Sequence, residues 1–202
     1  MKINMEVFTK KSIRYLALFA LAFALMACKS AEFGFKVTDV NGMVYDFSNR
    51  PVAHADVSMG RWYRSSTDIN GRFTIPKVPL GAHTITVNKK GFEKHSDEVN
   101  IREKGQIIYI RLPSQNQLLN LADDALTANN FILAEELLER AYQIDENNVE
   151  MLFYYASVRF RLSDYGLAIK FLERAKNLGS RDVYIDKFLT QLKELYNANF
   201  TD

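Results

Sequence analysis

Cysteine is almost missing from this 202-residue chain: Cys28 is the only one, so no disulfide can close within it. Histidine is scarce too, and His54, His83 and His95 each fall in a different predicted strand or turn. The tract Glu93-Lys94-His95-Ser96-Asp97 puts three potential ligands on one strand face, but a run of charges like this reads as solvated, and no metal is expected. The two D-x-N-G tracts are not calcium loops, because the twelfth positions counted from Asp39 and Asp68 are Arg50 and Pro79 instead of Glu. There is no G-x-S-x-G elbow, no phosphate-cradling glycine loop and no cysteine free to act as a nucleophile. Neither an enzyme nor a cofactor is therefore expected. Proline ends at Pro113, and beyond it the only glycines are Gly166 and Gly179. No apolar run reaches the roughly 20 residues that a membrane-spanning helix needs.

The longest apolar run is residues 15–27, YLALFALAFALMA, preceded by Lys2, Lys10, Lys11 and Arg14 and diluted only by Glu6. A basic start, a short apolar stretch and a small residue before the cut make a secretory signal. Its last residues, Leu25-Met26-Ala27-Cys28, resemble a bacterial lipobox. The resemblance implies cleavage before Cys28 and lipidation of its thiol with three acyl chains. At about 0.8 kcal/mol per buried methylene, several chains together anchor almost irreversibly. The opposing reading is a structural cysteine in an uncleaved anchor helix. The shortness of the run and the polar Lys29-Ser30 after it argue against that. Lys29 stands where Asp would retain an enteric lipoprotein in the inner membrane, which favours the outer membrane. The tether from Cys28 to Phe33 reaches at most about 20 Å, so the domain beyond it should lie close to a bilayer.

Without the signal, residues 28–202 carry 22 basic and 23 acidic side chains, and a nucleic-acid partner loses its electrostatic support. The charge is uneven. Residues 31–112 hold 12 basic and 9 acidic side chains, whereas residues 113–202 hold 9 and 14. The asymmetry suggests two domains of different surface. The expected division is 1–27 signal, 28–34 lipidated cysteine and tether, 35–113 a β-domain and 114–200 a helical domain.

The first half shows short alternating runs, and strands are expected at 37–38, 43–47, 55–59, 72–75, 83–87 and 106–112. Asp39-Val40-Asn41-Gly42 and Asp68-Ile69-Asn70-Gly71 are expected as hairpin reversals. The ordered series Arg50-Pro51-Val52-Ala53-His54-Ala55-Asp56-Val57, Thr67-Asp68-Ile69-Asn70-Gly71-Arg72-Phe73, Val78-Pro79-Leu80-Gly81 and Gly91-Phe92 resembles the carboxypeptidase regulatory-like, or transthyretin-like, domain. That resemblance implies a seven-stranded antiparallel β-sandwich serving as an accessory module. The catalytic domain of the carboxypeptidases has no counterpart in the chain.

The second half matches itself at an offset of 34 residues: Leu118 with Leu152, Ala122 with Ala156, Ala134 with Ala168, and Leu138-Glu139-Arg140-Ala141 with Leu172-Glu173-Arg174-Ala175. It resembles tetratricopeptide repeats, with small residues at Ala122, Ala134, Ala141, Ala156, Ala168 and Ala175. It departs from them in having Glu146 and Ser180 where a closing proline is usual. Five helices are expected, near 115–129, 132–146, 149–162, 165–178 and 182–198, as repeats 115–148 and 149–182 plus a capping helix. Two repeats fall below the three usually needed, so the helices should lean on the β-domain, a second copy or a partner.

By the same resemblance, a partner-binding groove would be lined by Leu119, Asp123, Leu126, Glu150, Phe153, Ser157, Phe160 and Tyr184, extended by Asn116 and Lys187. The alternative makes Phe153 and Phe160 inter-repeat core. Arg61-Trp62-Tyr63-Arg64 is a candidate ligand patch on the β-domain, set against a preferred reading in which Trp62 packs inward. The expected function is a lipid-anchored scaffold of the cell envelope that binds a protein partner through its helical groove. The alternative is a carbohydrate- or peptidoglycan-binding lipoprotein in which the helices serve for self-association.

Overall fold

The computed structural model describes residues 36–102 and 104–200, with side chains to residue 198. The signal, Cys28 and the tether lie outside the described residues. Val37–Asp202 forms one compact unit. Seven strands come first: β1 (Val37–Tyr45), β2 (Asp56–Met59), β3 (Tyr63–Ser66), β4 (Arg72–Pro79), β5 (Gly81–Asn88), β6 (His95–Ile101) and β7 (Ile107–Arg111). Five helices come after them: α1 (Gln115–Thr127), α2 (Phe131–Ile144), α3 (Val149–Arg161), α4 (Tyr165–Asn177) and α5 (Val183–Phe200).

The strands form two sheets, β4-β1-β7 and β3-β2-β5-β6. The expected all-antiparallel sandwich is corrected in one place, since β1 and β7 run parallel from the pair Asn41–Ile107 to Tyr45–Arg111. The reason is connectivity: β7 arrives from β6 in the other sheet, so no hairpin forces it to reverse against β1. Between the sheets lies an apolar core that includes Val40, Val44, Val57, Met59, Phe73, Ile75, Ile85, Val87, Ile101 and Ile110. β1 alternates exposed and buried positions along most of its length, as one wet face requires.

The two D-x-N-G tracts have different fates. Asp68 behaves as expected: its carboxylate accepts from the N–H groups of Asn70 and Arg72, each at 2.8 Å, and Gly71 sits at φ 74°. Asp39-Val40-Asn41-Gly42, expected as a turn, lies inside β1. Its residues serve the neighbouring strand instead. Asp39 accepts from the backbone N–H of Lys77, 3.1 Å away, where β4 bulges and Lys77 takes φ 55°. Asn41 accepts from the Thr74 hydroxyl at 2.7 Å. A Cβ on Gly42 would lie 2.2 Å from the Phe73 ring, so this glycine clears room for an aromatic ring.

The helices keep the 34-residue frame closely. Ser114 and Asn148 cap α1 and α3, and Asn130 and Asp164 cap α2 and α4, each side chain accepting from a first-turn backbone N–H. Both turns within the hairpins place a residue at left-handed φ, Asn129 at 56° and Ser163 at 61°. All six repeat alanines are fully buried, which lets the paired helices approach closely.

The first hairpin is held directly by the sandwich. Chain segments 91–93 and 113–115 exchange backbone hydrogen bonds, Glu93 N–H to Pro113 O at 2.9 Å and Gln115 N–H to Gly91 O at 3.0 Å. Arg140 of α2 grips Glu93 with two parallel bonds of 2.8 and 2.9 Å. Ser114 and Gln117 form a capping box, and the Gln117 amide also donates to the Ser48 hydroxyl at 3.0 Å.

Candidate functional site

The predicted groove residues separate into two groups. Leu119 is 1% exposed and belongs to the helical core, and Leu126 packs against that core half-buried. Neither offers an open surface. Phe153 and Phe160 both meet Phe188 of α5 edge-on, at centroid separations of 6.0 and 5.5 Å. Ser157 spends its hydroxyl on the carbonyl of Phe153 one turn earlier, at 3.0 Å. Asn116, Asp123, Glu150, Tyr184 and Lys187 are exposed.

What remains open is narrower than an eight-residue row. A cavity of about 590 Å³ lies between the first turns of α3 and α5, lined by Val149, Glu150, Phe153, Asp182, Tyr184 and Ile185. The N-cap of α3 and the start of α5 fix its walls. Asn148 accepts from Met151 N–H at 3.0 Å, and Asp182 accepts from Tyr184 N–H at 2.8 Å. Ile185 anchors the α5 side in the core, while Tyr184 beside it stays 76% exposed. Glu150 sits in the first turn of α3, where the helix dipole favours a carboxylate. Next to it, burial raises the pKa of Tyr154 above the ordinary tyrosine value, with the charges of Asp123 and Glu150 adding to the effect. The result is an apolar floor of Phe153, Val149 and Ile185 with an acidic rim. Such a site can take a side chain with an apolar stem and a cationic head.

The β-domain patch differs from the preferred expectation. Trp62 is not packed inward but 82% exposed. Val57 and Met59 occupy the inward positions of β2, and Gly60 at φ 61° turns the chain so that Arg61 and Trp62 stand at the hairpin tip. Tyr63 turns back toward the core, edge-on to His83 at 6.3 Å. Arg64 is exposed on the outer face of β3. The sequence tetrad is therefore split between a solvent-facing tip and an inward ring.

The charged tract 93–97 is also divided: Glu93 serves Arg140, and His95 pairs across the sheet with Val87. No group of three His, Cys, Asp or Glu side chains fit to hold a metal occurs among the described residues. A second cleft, about 510 Å³, opens where sandwich and helices meet, lined by Phe47, Ser48, Arg111, Gln117, Asn120 and Leu121. Sequence reading missed it because its walls come from segments about 70 positions apart, joined by Phe47 N–H and Ser48 to Gln117.

Residues 39–110 match the carboxypeptidase regulatory-like domain family. No curated protein sequence matches the chain. Among solved structures, a chain of a type II cohesin–X–dockerin complex from Acetivibrio cellulolyticus is similar over 38% of this chain and 58% of its own, at 19% identity and TM-score 0.35. The 3-chlorocatechol 1,2-dioxygenase of Rhodococcus opacus 1CP is similar over 39% and 60%, at 13% identity and TM-score 0.33. The major pilin subunit of Bacillus cereus is similar over 39% and 29%, at 15% identity and TM-score 0.33. The chain spans less than two thirds of each of these three, and no activity carries over from them.

Proposed function

We propose that this protein is a non-catalytic docking module of the bacterial cell envelope, anchored by lipid on Cys28, whose helices hold a basic, partly apolar segment of another envelope protein. The cavity between α3 and α5 is the observation that carries this reading. Its floor is apolar and aromatic, and its rim carries Glu150 and Asp182. The helical half has 14 acidic against 9 basic side chains, which favours a cationic segment over a free carboxylate. We read the helices as tetratricopeptide repeats. The common 34-residue frame of the caps and the buried alanines support that reading. The carboxypeptidase regulatory-like domain is then a spacer that supports the first hairpin.

A photo-crosslinking residue in place of Tyr184 tests the site in the native envelope, with the same residue at exposed Lys170 on α4 as the control. The expected result is a defined protein adduct from position 184, weakened by Glu150→Lys, and none from position 170. An adduct pattern that is the same at both positions, or none at 184, overturns the reading. Anchorage is tested separately. Cys28→Ser should block processing and leave the uncleaved precursor, and a variant that is still processed and stays in the detergent-requiring fraction would remove the lipid anchor from the account.

A further inference from the structure

The two ends of the sandwich differ in what occupies them. The loops 46–51, 67–71 and 89–92 lie at the helical end, where Asp46 pairs with Arg50, the neighbouring Glu93 with Arg140, and the Lys89 ammonium with the Ala53 carbonyl. The opposite end is made by the start of β1, the β2–β3 tip, the β4–β5 turn and the described residues between β6 and β7, 102 and 104–106. The pairings Val37–Pro79 and Gly81–Ile101 bring three of these together, and the Gly60 N–H to Thr84 O bond adds the tip. This end carries Arg61, Arg64, Lys77, Arg102 and Lys104, all exposed. Among the described residues none of the five has an ion-pair partner. Lys77 and Lys104 line one shallow cavity of about 330 Å³ with Val37, and Asp39 in it already accepts from Lys77 N–H. Trp62, the only tryptophan of the chain, projects from the same end at 82% exposure.

We propose that this end of the sandwich docks on the surface of an anionic phospholipid bilayer, with Trp62 at the headgroup level and the five cations against the phosphates. Tryptophan favours that level because one part of its ring is apolar and its N–H needs a polar neighbour. Unpaired Lys and Arg at the same height gain from a negatively charged leaflet, and the gain fades with salt. The start of the sandwich points to the same occupant. β1 begins at this end, and Cys28, which carries the anchor under the function proposed above, stands nine residues upstream of Val37 in the chain. Docking here leaves the helices on the side away from the lipid. The inference does not depend on what the cavity between α3 and α5 holds.

Trp62 reports on the contact without any label. The full chain is mixed with vesicles of phosphatidylcholine alone or of phosphatidylcholine with phosphatidylglycerol. Flotation reads anchorage, and Trp62 emission with brominated lipids reads docking. The expected result is a shift to shorter wavelength and quenching on the anionic vesicles only, reversed by salt. Lys77→Glu with Lys104→Glu, and independently Arg61→Glu with Arg102→Glu, should abolish the shift while circular dichroism stays unchanged. Emission that remains solvent-like on anionic vesicles overturns the proposal, as does a shift that survives both charge reversals. A shift produced by soluble muropeptides and not by lipid would overturn it in favour of a glycan ligand.

Discussion

The two helical hairpins share one frame but lean on different neighbours. Arg140 and Arg174 occupy the same position 34 residues apart. Arg140 reaches out of the helices to Glu93 of the sandwich, with both partners about two thirds buried. Arg174 reaches the preceding hairpin, where it bonds Tyr142 at 3.3 Å, Asn147 at 3.0 Å and Glu146 at 3.2 Å. A repeat array needs something in front of its first unit, and the sandwich supplies it. At the other end α5 closes the second hairpin, with Lys193 on Glu173 and Lys176 on Asp186, each at 2.7 Å. Two repeats are thus completed on both flanks, one by a β-domain and one by a lone helix. The frame sets how each hairpin folds internally, and the neighbour sets how it is held.

The strongest way to break the shared frame is in the core. Leu138 and Leu172 are equivalent and both fully buried. Truncating either to alanine should cost about 3 kcal/mol, measured by urea denaturation followed at a helical circular dichroism signal. A cost below about 1 kcal/mol at one site and not at the other would show that the equivalence ends at the backbone.

A smaller effect should separate the hairpins. Gln115 is buried at the start of α1, and its amide donates to the carbonyls of Ala141 and Asp145, both at 2.9 Å, while its oxygen accepts from Asn148 at 2.9 Å. The equivalent position of the second hairpin is Val149, whose side chain has no polar atom to make such bonds. Gln115→Ala removes all three bonds, one of them buried, and should cost about 2 kcal/mol. Val149→Ala should cost only its lost apolar area, about 1 kcal/mol. Equal costs would mean that the Gln115 bonds contribute nothing beyond packing.

The helices were legible in the sequence because caps, alanines and leucines all repeat at one spacing, so independent signals agreed. The missed strands are β3 and β6, the two edges of the four-stranded sheet. Their sequences, Tyr63-Arg64-Ser65-Ser66 and His95-Ser96-Asp97-Glu98-Val99-Asn100-Ile101, are mostly polar, as sheet edges must be to avoid pairing with other chains. The same polarity removes the apolar alternation on which strand assignment depends. The first D-x-N-G tract misled because its local chemistry suits a turn, whereas its use is set by Phe73 and Lys77 more than 30 residues away. Of the groove, the exposed acids were legible from register alone. The closing of Phe153 and Phe160 by Phe188 was not, since it depends on where α5 lands.

The link between sandwich and first hairpin offers the next test. Arg140→Ala removes a two-bond ion pair that is about one third exposed, and should cost about 1 kcal/mol. Arg174→Ala removes a more exposed ion-pair contact with Glu146 and the bonds to Tyr142 and Asn147, and should cost less than Arg140→Ala. Beyond the size, Arg140→Ala should loosen the cooperation of the two cores, so that the near-ultraviolet signal of the sandwich and the helical signal no longer melt together. A double-mutant cycle with Glu93→Gln isolates the pair. A coupling near zero would make the backbone bonds between segments 91–93 and 113–115 the whole of the link.

The smallest effect belongs to the loop at the same junction, and it depends on pH. Asp46 is nearly buried, and that burial by itself resists ionisation. The N–H groups of Ser48 and Arg50, at 2.8 and 2.9 Å, and the Arg50 guanidinium at 2.9 Å more than offset it, and the carboxyl is held below the usual aspartate range. A carboxyl with a lowered native pKa adds stability at pH values above its unfolded pKa, about 3.9, and that stability is lost as pH falls through the native value. The protein should therefore lose stability below about pH 4 with a component that Asp46→Asn removes, the difference between the two proteins being constant above about pH 5. Because this loop holds Ser48 against Gln117, the acid step should appear in the helical signal as well as in that of the sandwich. An acid step confined to the sandwich would show that the capping box of α1 does not need the loop, and would leave Arg140 as the side-chain tie between the two cores.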